Sequence, residues 1–272
     1  MKKLDNKVAL VTGGGSGIGR ETAIEFSAQG AHIVLTDVNA EGMEETGRRI
    51  LQAGGTFEQH VADVASRRDM KTLAAKVKAQ HGALDVLINN AGIGSAGAFL
   101  ETTLDTWDKV IDINIKGVVH GCHYFLPDMV AAGNGGSVVN LASMAAFVAP
   151  RDMSIYATSK FAVLGFSESL RSEMAEHNIH VATICPGVIN TPIVKNTVME
   201  GKAEQGELRD KAVAMYKRRN YPPQKVARAV LNAVLKQKSV VPVSPEAWLG
   251  YYAKRWAPSL VERLGRLELP FN

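Results

Sequence analysis

Apolar residues gather in short runs along the chain, and stretches of helical period separate them. The runs are Val8-Ala-Leu-Val-Thr12, Ala31-His-Ile-Val-Leu-Thr-Asp37, Leu84-Asp-Val-Leu-Ile-Asn89, Gly136-Ser-Val-Val-Asn-Leu141 and Ile179-His-Val-Ala-Thr-Ile184. Near-continuous apolar runs suit parallel strands, whose two faces are both covered. Thr56–Val61 is a weaker strand candidate, and Ser239–Val243 is placed at the far edge. Amphipathic stretches at 18–29, 41–53, 68–80, 105–131 and 155–177 lie between them. Strand alternating with helix predicts an α/β fold: one doubly wound parallel sheet, helices on both faces and right-handed crossovers.

Two regions break the alternation. Residues at about 190–221 are polar, helix-prone and rich in Lys and Glu, and a substrate lid is expected there. The tail, about 245–272, sets Trp248, Tyr252, Trp256, Leu260 and Leu264 four apart, and Pro258 is expected to split it into two helices. No repeat, linker or low-complexity segment interrupts the 272 residues, so 1–272 reads as a single domain carrying a lid and a tail.

Composition narrows the class. With 46% hydrophobic and 21% charged residues, disorder and collagen-like structure are excluded. No apolar run approaches the ~18 residues of a membrane-spanning helix, and Met-Lys-Lys-Leu-Asp-Asn-Lys leads into no secretory segment, so a cytoplasmic protein is expected. Cys122 and Cys185 give neither a disulfide framework nor metal-ligand spacing; both are expected in the core, and no metal is expected. Residues 1–194 carry 16 Lys/Arg against 20 Asp/Glu, a net −4, whereas residues 195–272 carry 15 against 7, a net +8. That basic third suits an acidic partner, an anionic surface or a solvated helical face. Nucleic-acid binding is not expected, because no recognition motif or stacking platform accompanies the basic residues.

Thr12-Gly-Gly-Gly-Ser-Gly-Ile-Gly19 follows the first strand and opens the first helix. Glycine at 13, 17 and 19 lets backbone approach a pyrophosphate closely, and unpaired amides at the helix start then face the phosphates. Asp37 ends the second strand, 18 residues after Gly19, where a carboxylate accepts both adenosine ribose hydroxyls. It would repel a 2′-phosphate, and neither Val38 nor Ser16 offers a cation. Arg20, Arg48 and Arg49 are expected on helix surfaces. The expected cofactor is NAD(H), on a Rossmann-type sheet.

Tyr156 and Lys160 are four apart on an expected helix, on one face and a single turn from each other. An ammonium there is expected to lower the tyrosine pKa from about 10. Tyr156 then serves as base in alcohol oxidation and as acid in ketone reduction. Ser143, at the C-terminal end of the fifth strand, supplies a hydroxyl to hold a carbonyl oxygen.

Taken together, Thr12-Gly-x-x-x-Gly-x-Gly19, Asp63-Val64, Asn89-Asn-Ala-Gly92, Asn114, Ser143, Tyr156-x-x-x-Lys160 and Pro186-Gly187 followed by Thr191 resemble the short-chain dehydrogenase/reductase family over about residues 5–240. The resemblance implies that Gly13, Ser16, Gly17, Ile18 and Gly19 hold the cofactor phosphates and that Asp63 and Val64 meet the adenine. It implies support of the cofactor by Asn90, Ala91 and Gly92, a ribose contact from Lys160, and carboxamide orientation by Pro186, Gly187, Ile189 and Thr191. Asn114, with Ser143, Tyr156 and Lys160, completes the implied catalytic set and holds a relay water. A homodimer or homotetramer through helices 105–131 and 155–177 is implied as well.

The substrate is read from variable segments. Gly94, Ser95, Ala96, Met144, Ala145, Phe147, Met153, Val188 and Ile193 are small or apolar, which suits a hydrophobic secondary alcohol or ketone. A 3-oxoacyl thioester reductase is the alternative, its acidic carrier meeting Lys217-Arg218-Arg219. A non-catalytic NAD(H)-binding protein is a third reading. The tail pattern suits packing on the pocket or on another subunit, and contact with an anionic membrane is less favoured.

Overall fold

The computed structural model describes residues 4–204 and 208–265. In chain order the first half runs β1 (Val8–Thr12), α1 (Gly17–Ala28), β2 (His32–Asp37), α2 (Ala40–Gln52), β3 (Thr56–Val61), α3 (Arg67–His81) and β4 (Val86–Asn89). A two-residue strand β5 (Ser95–Ala96), α4 (Leu104–Ile111), α5 (Gly117–Ala132), β6 (Gly136–Leu141), α6 (Ser154–Met174) and β7 (Ile179–Pro186) follow. The chain continues through β8 (Val198–Met199), α7 (Leu208–Arg219), α8 (Pro223–Leu235), β9 (Val240–Val243), α9 (Pro245–Trp256) and α10 (Pro258–Gly265).

Seven strands form one parallel sheet in the order β3-β2-β1-β4-β6-β7-β9. The order reverses between β1 and β4, which opens a crevice beyond their C-terminal ends, where ligands bind in such sheets. Period two divides each strand between two cores. Val11, Ile33, Leu35 and Ile88 pack with Phe26 of α1 and Val230 of α8. Leu10, Val34, Leu87 and Val138 pack with Met70 and Leu73 of α3 and Phe125 of α5. A one-residue slip would exchange these faces, so burial on both sides locks the register. The apolar pattern of β3 is weak because it is an edge strand, with residues only half-covered. Pro242 is accommodated in β9 because that strand is the opposite edge.

The expected helix at 105–131 is interrupted. A single π-helical turn, Asp112–Lys116, separates α4 from α5 and turns Asn114 into the protein. Such one-residue insertions often mark functional positions. The helix expected at 155–177 ends as α6 at Met174, with a 3-10 turn to His177. The 190–221 segment is helical in α7, but it also holds β8, which pairs in parallel with β5 through Ser95↔Val198 and Ala96↔Met199. Pro258 does separate α9 from α10. The Leu264 side chain and everything from Arg266 onward lie outside the described residues. Both cysteines are free and buried, and no helix among the described residues is long and apolar enough to cross a membrane.

Candidate active site

The turn after β1 is held by side chains from other strands. Thr12 Oγ1 accepts from the amides of Asn90 (2.9 Å) and Ala91 (3.0 Å), while Asn90 Nδ2 donates to Thr12 O (2.8 Å) and Gly13 O (3.2 Å). Gly13 has φ +66 and Gly17 φ +53, conformations that disfavour a side chain. A Cβ at Gly19 would stand 2.1 Å from Gly13 O, so α1 approaches the turn as closely as backbone allows. Ser16 caps α1 without a side-chain hydrogen bond to its amides, which leaves the helix start open to an anion. Ile18 packs against the core from the same turn. These features fit a dinucleotide pyrophosphate.

Asp37 sits at the end of β2 beside this turn. Its Oδ2 accepts from Gly15 N (2.9 Å) and its Oδ1 from Asn39 N (3.0 Å). Arg20, expected on the helix surface, is instead tucked behind the turn. Its Nε donates to Thr46 Oγ1 (3.0 Å), and its Nη2 donates to the carbonyls of Gly42 (3.1 Å) and Gly15. The guanidinium thus bridges the glycine turn to α2, where Gly42 O also accepts from Thr46 Oγ1 (3.0 Å). Asp63, exposed, accepts from Ala65 N (2.9 Å), and Val64 O accepts from His120 Nδ1 (2.8 Å).

Catalytic candidates converge on the ends of β4, β6 and α6. Asn114 is 1% exposed. Its Oδ1 accepts from Ile93 N (2.8 Å), and its Nδ2 donates to Ile93 O (2.9 Å) and Ser159 Oγ (3.1 Å). Gly92 lies against it: a Cβ there would be 3.1 Å from Asn114 Oδ1 and 3.5 Å from Lys160 Nζ. Lys160 is buried, donates to Leu141 O (3.2 Å) and stands 5.5 Å from the centre of the Tyr156 ring. Ser143 Oγ accepts from Ala145 N (3.1 Å) and also hydrogen-bonds Tyr156. All four candidates therefore share one cleft.

The electrostatics differ from the expected direction. Tyr156 is pushed up to about 12, first by burial, with Tyr216 adding to the rise and the Ser143 hydrogen bond opposing it. Burial lowers Lys160 to about 8, Cys185 opposing. An ammonium 5.5 Å from the ring does not compensate for the hydration the phenol loses. Lowering the tyrosine needs a further positive charge in the cleft.

On the substrate side the placements diverge. Met144, Met153, Val188 and Ile193 are partly exposed, whereas Ser95 is buried in the β5 ladder. Phe147, expected to line the pocket, is 4% exposed and packs edge-on to Tyr251 of α9 at 5.2 Å. Ala145 is likewise buried. Gly94 is required by its contact with the 190–221 segment, since a Cβ would meet Thr197 Oγ1 at 2.5 Å. A cavity of about 230 Å³ lies under α7, lined by Asn190, Thr191, Val194, Val213 and Tyr216 among others.

Pro186 ends β7, and Ile189 is buried. Gly187 N donates to Val243 O (3.0 Å) and Val188 N to Glu246 Oε1 (3.0 Å). Glu246 Oε2 accepts from Arg219 (3.0 Å). Thr191 comes within 3.4 Å of the Cβ position of Gly17, closing the loop over the glycine turn.

Sequence reasoning missed Ser159, Tyr216 and Glu246. Ser159 lies three residues after Tyr156 on α6, and that spacing was a usable signal. Nothing local marks Tyr216 or Glu246, which reach the site from distant segments.

The model of the short chain dehydrogenase family matches residues 7–201. The chain belongs to the short-chain dehydrogenase family. It is 41% identical over 95% of its length to the protein named probable oxidoreductase EphD of Mycobacterium tuberculosis, but covers only 44% of that relative. It thus spans less than half of the first curated relatives that it matches. Cyclohexanol dehydrogenase of Acinetobacter sp. is 37% identical over 71% of this short-chain dehydrogenase and 76% of the relative. Among solved structures, levodione reductase superposes with a TM-score of 0.80 at 30% identity, covering 89% of this chain and 97% of that one. A Burkholderia phymatum family member in complex with NAD gives a TM-score of 0.85 at 26% identity, covering 99% of both chains.

Proposed function

We propose that this chain is an NAD(H)-dependent oxidoreductase that interconverts a hydrophobic secondary alcohol and its ketone. The convergence of Ser143, Tyr156, Lys160 and Asn114 at the mouth of the glycine-turn crevice carries the reading. When bound, the cofactor supplies the hydride acceptor or donor and, oxidised, a positive ring. Gly13, Ser16, Gly17, Ile18 and Gly19 would hold its phosphates and Asp37 its adenosine ribose. Asp63 and Val64 would meet its adenine, and Asn90, Ala91 and Gly92 would back the central strand. Pro186, Gly187, Ile189 and Thr191 would flank its carboxamide.

Tyr156 Oη takes the alcohol proton in oxidation and returns it in reduction, with Ser143 Oγ steadying the substrate oxygen. Lys160 contributes positive charge beside the phenol, and Asn114, which also bonds the backbone of Ile93, would hold a relay water. The upward shift of Tyr156 keeps it protonated until cofactor and substrate are in place, which suits the acid role in ketone reduction.

Asp37 favours NAD(H), because its carboxylate would face a 2′-phosphate at close range. Arg20 is already committed to Gly15, Gly42 and Thr46, and Val38 is exposed but uncharged. Partly exposed Met144, Met153, Val188 and Ile193 favour a lipophilic substrate, in keeping with the cyclohexanol and levodione in the names of two relatives. A screen of lipophilic alcohols and ketones, followed by NADH absorbance and repeated with NADPH, tests the proposal. Turnover with NADH on a cyclic or medium-chain substrate is expected. NADPH-driven reduction of 3-oxoacyl thioesters alone would replace this reading with the thioester reductase. A homodimer or homotetramer through the outer faces of α4, α5 and α6 belongs to the same proposal; light scattering on the eluting protein checks it.

A further inference from the structure

At the β3 edge of the sheet, where β2 and β3 pair, three imidazoles lie around one carboxylate. Alternation along β3 places Thr56, Glu58 and His60 on one face. Glu58 is in register with Val34, which packs on α3, so this is the α3 side of the sheet. α3 runs back along the sheet and ends at His81, delivering that ring to the same corner. His32, first residue of β2, is in register with Thr56.

Glu58 Oε1 lies 3.2 Å from His81 Nε2 and 3.2 Å from His60 Nε2. With its amide nitrogen turned to the carboxylate, Gln80 donates to Glu58 Oε2 (2.9 Å). His32 Nδ1 meets Thr56 Oγ1 at 2.9 Å. Its Nε2 is shielded from solvent and has no hydrogen-bond partner among the described residues. The rings of His32 and His81 are 5.1 Å apart, and one ligand atom each from His32, Glu58 and His81 falls within 4.8 Å of the others.

A hydrogen-bonded cluster alone accounts poorly for this arrangement. One carboxylate oxygen serves two imidazoles already, and the third keeps a desolvated nitrogen with nothing to bond. A metal ion resolves both. With metal–ligand bonds of about 2.0–2.2 Å, tetrahedral ligands stand roughly 3.3 Å from each other, close to the separation between Glu58 and His81. Drawing His32 inward by on the order of 1.5 Å completes a three-ligand set open to a fourth ligand from water or His60. Thr56 and Gln80 hold His32 and Glu58 from behind, as outer groups do around ligating side chains. Imidazole nitrogens with a carboxylate suit zinc and its transition-metal neighbours rather than magnesium or calcium.

We propose that His32, Glu58 and His81 form a divalent transition-metal site of zinc type that pins the edge strand β3 and the end of α3 to β2. The site is separate from the catalytic cleft and independent of the reaction proposed for it. The test uses the untagged full chain, stripped with chelator and titrated with ZnCl2 by calorimetry and with CoCl2 by visible absorption. Expected are one saturable ion per chain, cobalt bands of a low-coordinate nitrogen–oxygen site, and a thermal midpoint raised by Zn²⁺ but not by Mg²⁺. Glu58→Gln and His81→Asn each weaken zinc binding on the order of tenfold or more, while His180→Asn leaves it unchanged. NADH binding, read by fluorescence, stays the same in all of them. Absence of saturable uptake by the wild type overturns the proposal, as does undiminished affinity in both Glu58→Gln and His81→Asn. Should those variants fail to fold, the cobalt spectrum of the wild type decides: octahedral, water-like bands overturn it.

Discussion

Around the glycine turn, side chains are spent on backbone. Thr12, Arg20, Asp37 and Asn90 all bond peptide groups of residues 12–15 or their neighbours, and Gly13 and Gly19 leave no room for a methyl group. The 190–219 segment is attached differently. A two-residue ladder, Glu200 accepting from Thr103 N (3.0 Å), Thr103 Oγ1 (2.7 Å) and Thr106 Oγ1 (2.9 Å), Lys202 N donating to Glu101 Oε2 (2.9 Å) and the Arg219–Glu246 contact tie it to the body. Arg209 braces it from within by donating to Lys195 O and Thr197 O. A turn whose geometry is over-determined suits a ligand that never changes. A segment tied through side chains and a two-residue ladder suits one whose shape can differ.

That contrast is open to attack at its strongest point first. Tyr156→Phe should lower kcat on the order of 10²–10⁴-fold with NADH affinity unchanged, because only the proton-transferring oxygen is lost. Steady-state rates and NADH fluorescence check this, and near-normal turnover would remove Tyr156 from the chemistry.

Lys160 tests how much strain the cleft stores. Its pKa of about 8 when folded lies below its ordinary 10.5. Between those values the unfolded chain binds more protons, so stability rises with pH through this window. Below pH 8 the burial penalty is present in full, on the order of 3 kcal/mol. Lys160→Met should therefore be more stable than the wild type at pH 7, and the advantage should vanish by about pH 10.5. Denaturant melts of both proteins across this range measure it.

Gly19→Ala should cost about 1–3 kcal/mol in NADH affinity or stability, through overpacking against Gly13 O. Gly165→Ala is its control: nothing lies within 4 Å of a Cβ there, and in the middle of α6 the change should stabilise by about 0.5–1 kcal/mol. The smallest effect is expected in the 190–219 segment. Arg209→Ala, which removes two hydrogen bonds to carbonyls of that segment, should raise KM by an amount worth about 1 kcal/mol and leave NADH affinity alone. An equal loss of NADH affinity would show that segment and turn act as one unit.

The tail shows how far pattern reading goes. Four-residue spacing located its helical face, and Pro258 its break. The stripe of Trp248, Tyr252, Trp256 and Leu260 nevertheless faces outward, Trp256 being 83% exposed. Ala247, Gly250 and Tyr251 make the inward contact, Tyr251 against Phe147. Spacing identifies a face, but which face is covered depends on what lies opposite. Phe147 illustrates the converse: its place four residues after Ser143 suggests pocket lining, and Tyr251 of α9 covers it instead.

Local rules sufficed for the parallel strands, the glycine turn, Asp37 at the end of β2 and the Tyr156–Lys160 pair. Each of these depends on a period of two or 3.6, or on residues a few positions apart, and such distances survive any packing. Tertiary structure alone decided the π turn that aims Asn114, the inward reach of Arg20, the upward shift of Tyr156, the Glu246 contact with Val188 and the meeting of His32, Glu58 and His81. Those features arise from desolvation and from contacts between segments dozens of residues apart, and neither quantity is written in neighbouring positions.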